Sequence, residues 1–139
     1  MSHHSFAVST GRDAPSAVRD ALRERGAHLP RQMRDDLLLL LTEVVTNAVR
    51  HSGATKGDPI RVALSENRDC IRAEVTDPGT GFAKPERLVP DLTRTGGLGL
   101  VLVDRLSRAW GTRKTPRGWL VWFELAHDRN EWRGDAKPD

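Results

Sequence analysis

From Pro30 to Gly53 the apolar residues Met33, Leu37, Leu40, Leu41, Val44, Val45 and Ala48 fall mostly three and four positions apart. That is the spacing of one face of an α-helix. Pro30 opens the segment, and Gly53 stops it near His51–Ser52. Within it, Leu37 to Leu41 is apolar on every side. Such a helix is expected to be packed on more than one side, so the fold must supply partners for it. The chain has 139 residues, the size of one domain. A chain of this length buries roughly two thirds of its unfolded surface. It therefore needs no covalent staple, and its single cysteine, Cys70, allows none within the chain.

The remaining segments predict the partners. Phe6 and Val8 alternate with polar neighbours and suit a short edge strand. Asp13 and Pro15 signal a helix start; Val18, Ala21, Leu22 and Arg25 follow at helical spacing, and Gly26 closes the helix. Ile60, Val62 and Leu64 predict one strand and Ile71, Ala73 and Val75 a second, joined as a hairpin through Glu66–Asp69. Residues 78 to 97, with Pro78, Pro85, Pro90, Gly79, Gly81, Gly96 and Gly97, read as a long loop, either a lid or disordered. A helix follows from about Leu98 to Ser107, with Leu102, Val103 and Leu106 on its apolar face. A strand near Trp110–Thr115, a turn at Pro116–Gly118 and a strand carrying Trp119, Val121, Phe123 and Leu125 complete the pattern. We expect an α+β two-layer sandwich whose mixed, mostly antiparallel sheet is covered by helices on one face. Residues 1–126 form the domain and 127–139 a loose polar tail. His3 and His4 are assigned to a frayed terminus, and Cys70 to a half-buried position at a strand start.

Composition excludes several functions. The longest apolar runs, Leu37 to Leu41 and Trp119 to Phe123, fall far short of the ~20 residues of a membrane span. The N-terminus lacks a basic start followed by an apolar stretch, so a cytoplasmic location is expected. The net charge is +3, from 22 Lys and Arg against 19 Asp and Glu, dispersed along the chain. A nucleic-acid binder would concentrate it.

Three constellations can carry chemistry. Glu43 and Asn47 are four apart and share a helix face, with Arg50 and His51 one turn on. A carboxylate plus an amide oxygen suits a hydrated Mg²⁺, which keeps most of its waters. A carboxylate can also orient or deprotonate a hydroxyl nucleophile. The alternative is a polar stripe where the helix meets solvent. Next, Asp77-x-Gly79-x-Gly81 ends a strand, and Asp77 has the parity of Ile71, Ala73 and Val75. Its carboxylate therefore points to the buried face, where it needs hydrogen bonds such as those from an exocyclic amine. The alternative is a Pro-Gly turn with an Asx bond. Last, Thr95-Gly96-Gly97-Leu98-Gly99-Leu100 precedes an amphipathic helix, whose N-terminal amides suit phosphate. The alternative is a flexible hinge. Neither the P-loop pattern nor the dinucleotide fingerprint is present.

Together and in this order the three resemble the GHKL, or Bergerat-fold, ATP-binding superfamily, which includes DNA gyrase, a heat-shock chaperone, histidine kinases and MutL repair proteins. TEVVTNAVRHSG (42–53) is similar to its N box, TDPGTGF (76–82) to its first glycine box and TGGLGLVLVDRLSRAWG (95–111) to its second. The short lid and small size resemble the single-domain anti-sigma-factor serine/threonine kinases of the RsbW type. The resemblance implies ATP and Mg²⁺ as cofactors, with Asn47 on the metal and Asp77 on the adenine amine. It implies Gly79 and Gly81 beside the base, and Gly97 and Gly99 at the phosphates. Arg50, Arg94, Thr95, Gly96, Leu98 and Leu100 complete the implied nucleotide site. Glu43 would be the base acting on a serine or threonine of a STAS-domain anti-anti-sigma protein, with a sigma factor as the other partner and a homodimer as the implied assembly. No direct contact with nucleic acid or membrane is implied. Two positions depart from the family pattern. Thr95 stands where a basic residue precedes the glycine box, with Arg94 one place off. Leu120 is read as standing where a threonine supports the adenine-binding aspartate. A phosphotransferring enzyme and an ATP-dependent binding module without transfer are the two readings carried forward, with a remnant domain third.

Overall fold

In the computed structural model the chain is described over residues 2–9, 11–51, 59–78 and 97–127; the backbone alone is described at 50–51 and 97–100. Its elements are β1 (Ser2–Ser9), α1 (Ala14–Arg25), α2 (Arg31–His51), β2 (Pro59–Glu66), β3 (Cys70–Asp77), α3 (Gly97–Leu106), β4 (Ala109–Thr115) and β5 (Gly118–Ala126). The strands form one sheet in the order β1-β2-β3-β5-β4. Helix α2 packs between α1 and α3 and over β3 and β5, so the three helices cover one sheet face. This is the α+β two-layer sandwich the pattern predicts.

One detail differs. Every described strand pair is antiparallel, so the sheet is not mixed among these strands. Strands β3 and β4 do run the same way, linked through the segment that holds α3. The β4–β5 hairpin places β5 between them, and no parallel pair forms.

The core joins Val18 and Leu22 of α1, Leu37, Leu40, Leu41, Val44 and Val45 of α2, and the inward residues of β2, β3 and β5. Each buried side chain of this size contributes about 1.5–3 kcal/mol. The run Leu37–Leu41 is not buried all round: Leu39 remains 39% exposed. Two residues on from Leu37, it lies about 200° round the helix, on the side away from the sheet.

Strand β1 is paired with β2 from Ser2 to Ser9. His3 and His4 therefore sit in a strand rather than a frayed end, because Val8 and the half-buried Phe6 anchor β1 to the core. The His3 ring nitrogen Nδ1 lies 3.0 Å from the Ser65 hydroxyl. The β2–β3 turn is an Asx turn: Asn67 Oδ1 accepts the N–H groups of Asp69 and Cys70 at 2.7 and 2.9 Å. Cys70 is buried rather than half-buried, at 5% exposure. On the open sheet face the Arg72 guanidinium lies 4.1 Å from the Trp122 ring centroid and donates to Glu74 and Glu124 at 2.9 and 3.1 Å.

Candidate nucleotide site

Ile71, Ala73 and Val75 of β3 point into the core, so the alternation carries Asp77 to the same helix-covered face as the strand ends. Asp77 is 9% exposed. Leu37 lines a small cavity together with Leu64 and Ile71, which fixes the N-terminal half of α2 over the start of β3. Glu43 and Asn47 lie in the C-terminal half of α2, six and ten residues past Leu37. Both residues are half-buried, as polar groups at a site margin are expected to be.

The backbone beside Asp77 is tightly specified. Gly118, the first residue of β5, has φ +133°. A Cβ built there would stand 1.8 Å from the Asp77 carbonyl oxygen. Glycine is required twice, for the conformation and for the close approach. Thr115 holds this corner, since its hydroxyl donates to the Gly118 carbonyl at 2.9 Å and accepts the Arg117 N–H at 3.1 Å. The β4–β5 turn thus presses the start of β5 onto the end of β3 and fixes the direction of Asp77.

The register corrects one position. Asp77 pairs with Trp119, and Thr76 with Leu120. Directly opposed residues on antiparallel strands share a face. Trp119 therefore stands beside Asp77, and Leu120 is turned to the other side of the sheet. The signal was present in the sequence: Trp119 has the parity of Phe123 and Leu125, the core residues of β5. Gly118 and Trp119 are thus the site residues the motifs alone did not name.

The glycine-rich segment begins α3 one residue earlier than predicted. Gly97, Leu98, Gly99 and Leu100 form its first turn, whose backbone amides lack partners within the helix. Arg50 lies in the last turn of α2. Gly79, Gly81, Arg94, Thr95 and Gly96 lie outside the described residues, as does the polar tail from 128 on. Among the described residues no group of three His, Cys, Asp or Glu side chains is placed to hold a metal. A cation at Asn47 would therefore be one that keeps its waters, as Mg²⁺ does. The described residues fit an adenine nucleotide on these grounds: a buried carboxylate at a strand end, a backbone corner that only glycine permits, and a helix N-terminus.

The chain is a helix-backed antiparallel α+β domain whose central strand ends in a buried carboxylate. The chain belongs to the histidine kinase-like ATPase domain family, whose sequence model matches residues 9–125. Among solved structures, the Acinetobacter baumannii histidine kinase AdeS is similar in fold, at a TM-score of 0.50 and 15% sequence identity over 88% of this chain and 68% of that one. No curated protein sequence matches significantly.

Proposed function

We propose that the chain binds ATP with Mg²⁺ and acts as a serine/threonine protein kinase on a STAS-type anti-anti-sigma protein, with a sigma factor as its second partner. Membership of the histidine kinase-like ATPase family supports an ATP-dependent, kinase-like activity. The single observation that carries the reading is Asp77, a buried carboxylate held at the end of β3 by Gly118 on the face that α2 covers.

In this reading the Asp77 carboxylate accepts the exocyclic amine of the base. Asn47 offers its amide oxygen to the cation, and the amides at the start of α3 face the phosphates. Bound ATP supplies the phosphoryl group. Glu43, one turn before Asn47, orients the incoming hydroxyl and takes its proton. Location follows the partners, in the cytoplasm. No described helix is long and apolar enough to cross a membrane.

The test is transfer of label from γ-labelled ATP to a recombinant STAS protein. Glu43→Ala is expected to keep ATP binding and to lower transfer by at least the 10²–10⁴-fold that general-base catalysis contributes. Transfer at the wild-type rate would remove Glu43 from the role of base. The second reading, a binding module without transfer, is favoured by Trp119, which puts an indole rather than a hydroxyl at the β5 position paired with Asp77. In that case nucleotide changes partner affinity and no label moves.

A further inference from the structure

From Ala109 to Phe123 the chain carries Arg113, Lys114 and Arg117 and no acidic residue. These three cations equal the net charge of the whole chain, +3, so Lys and Arg balance Asp and Glu over the rest. All three are exposed. None forms an ion pair with a described residue, whereas Arg72 and Arg108 are taken up by Glu74 and Glu124. The three sit at or beside the β4–β5 turn. Its backbone is held by the Thr115 hydroxyl and by the contact of Gly118 with the Asp77 carbonyl, so the charges leave a fixed tip at the rim of the candidate site. Charge on an edge strand such as β4 also discourages unwanted strand pairing. That accounts for Arg113 and Lys114 but not for Arg117, which lies beyond the last residue of β4. The other edge strand, β1, carries no Lys, Arg, Asp or Glu at all.

We propose that the β4–β5 hairpin tip is a docking surface for a carboxylate-rich segment of a partner protein, held by Arg113, Lys114 and Arg117. Clusters of arginine are a recurring means of recognising acidic segments. Charges at an exposed rim set the rate and specificity of encounter more than raw affinity. The geometry favours a protein over a nucleic acid. Lys114 pairs with Trp119 and Arg113 with Leu120, so the two cations leave opposite faces of the sheet, and Arg117 leaves from the turn. Cations fanned in this way suit carboxylates on a segment that wraps the tip. A phosphate backbone is met by a basic stripe on one face. Single-stranded nucleic acid is also held by stacking on aromatic rings, and Arg113 to Gly118 include none. The surface stands whether or not the Asp77 corner takes a nucleotide.

The experiment is fluorescence anisotropy of a labelled oligoglutamate peptide titrated with the full chain, without nucleotide, at low and at physiological salt. Wild type is compared with the triple variant Arg113→Glu, Lys114→Glu, Arg117→Glu. A charge-matched control carries Arg12→Glu, Arg19→Glu and Arg68→Glu, three exposed positions outside the hairpin. Wild type is expected to bind at low salt and to weaken as salt rises. The hairpin variant is expected to lose roughly tenfold in affinity, the combined scale of three exposed charge pairs, and more than the control loses. Arg117→Gln alone leaves the backbone contacts of the turn in place and covers the case of a triple variant that misfolds. Its expected loss is roughly two- to threefold. Equal losses in the hairpin variant and the control would reduce the effect to net charge and overturn the inference. No binding of the peptide by wild type, or no loss in Arg117→Gln, overturns it as well. Labelled oligothymidylate bound more tightly than the peptide, and released by the hairpin variant, would assign the tip to nucleic acid instead.

Discussion

At the scale of single residues, the site corner depends on a glycine that no motif singles out. Gly118→Ala would force a side chain into a positive-φ position and against the Asp77 carbonyl. Strain at such positions is of order 1–3 kcal/mol before any clash is counted. The expected outcome is a fall of several degrees in Tm together with weakened nucleotide binding, read by thermal denaturation and titration. An unchanged Tm would mean that the corner is not tight. The place of Asp77 was legible from alternation alone, since its parity with Ile71, Ala73 and Val75 put it on the buried face. Leu120 was misplaced because motif spacing carries no register. Only the pairing of β3 with β5 shows that Trp119 is the residue opposite Asp77.

At the scale of elements, helix spacing and strand alternation foretold eight segments with small boundary shifts. The turns carry their own chemistry, in the Asn67 side chain at one hairpin and Thr115 at the other. The solvent side of α2 was harder to read, because five consecutive leucines show no periodicity. The sheet beneath decides which of them are buried. Leu40 is fully buried and Leu39 is the exposed member. Leu40→Ala is therefore expected to cost about 2–5 kcal/mol, the usual range for a core leucine. Leu39→Ala should stay within about 0.5 kcal/mol, as surface changes do. Denaturant unfolding of both variants checks this; equal losses would contradict the observed packing of α2.

At the scale of the whole molecule, folding controls a titration remote from the nucleotide corner. Burial pushes the Cys70 thiol above its ordinary value, with Glu124 and Asp69 acting in the same direction and Arg108 and Arg72 opposing. A raised folded-state value gives stability that is present below the unfolded thiol's titration and lost as pH rises through the folded one. Stability should therefore decline above about pH 8.5, and Cys70→Ser should flatten that decline. A thiol reagent at neutral pH should label Cys70 only as the chain opens. The fold class and the order of the motifs were legible because local periodicity and short-range spacing encode them. The opposition of Asp77 and Trp119 was not, because it joins residues 42 positions apart.

A nucleotide base held by Asp77 is the central claim. The deciding measurement is calorimetric titration of wild type and Asp77→Asn with ATP and Mg²⁺. Losing a hydrogen bond to a charged group costs about 1.5–3 kcal/mol. Wild type is expected to show saturable, Mg²⁺-dependent binding, weakened roughly ten- to a hundredfold in the variant. Wild type that ignores millimolar ATP, or a variant that binds ATP as tightly as wild type, would contradict it.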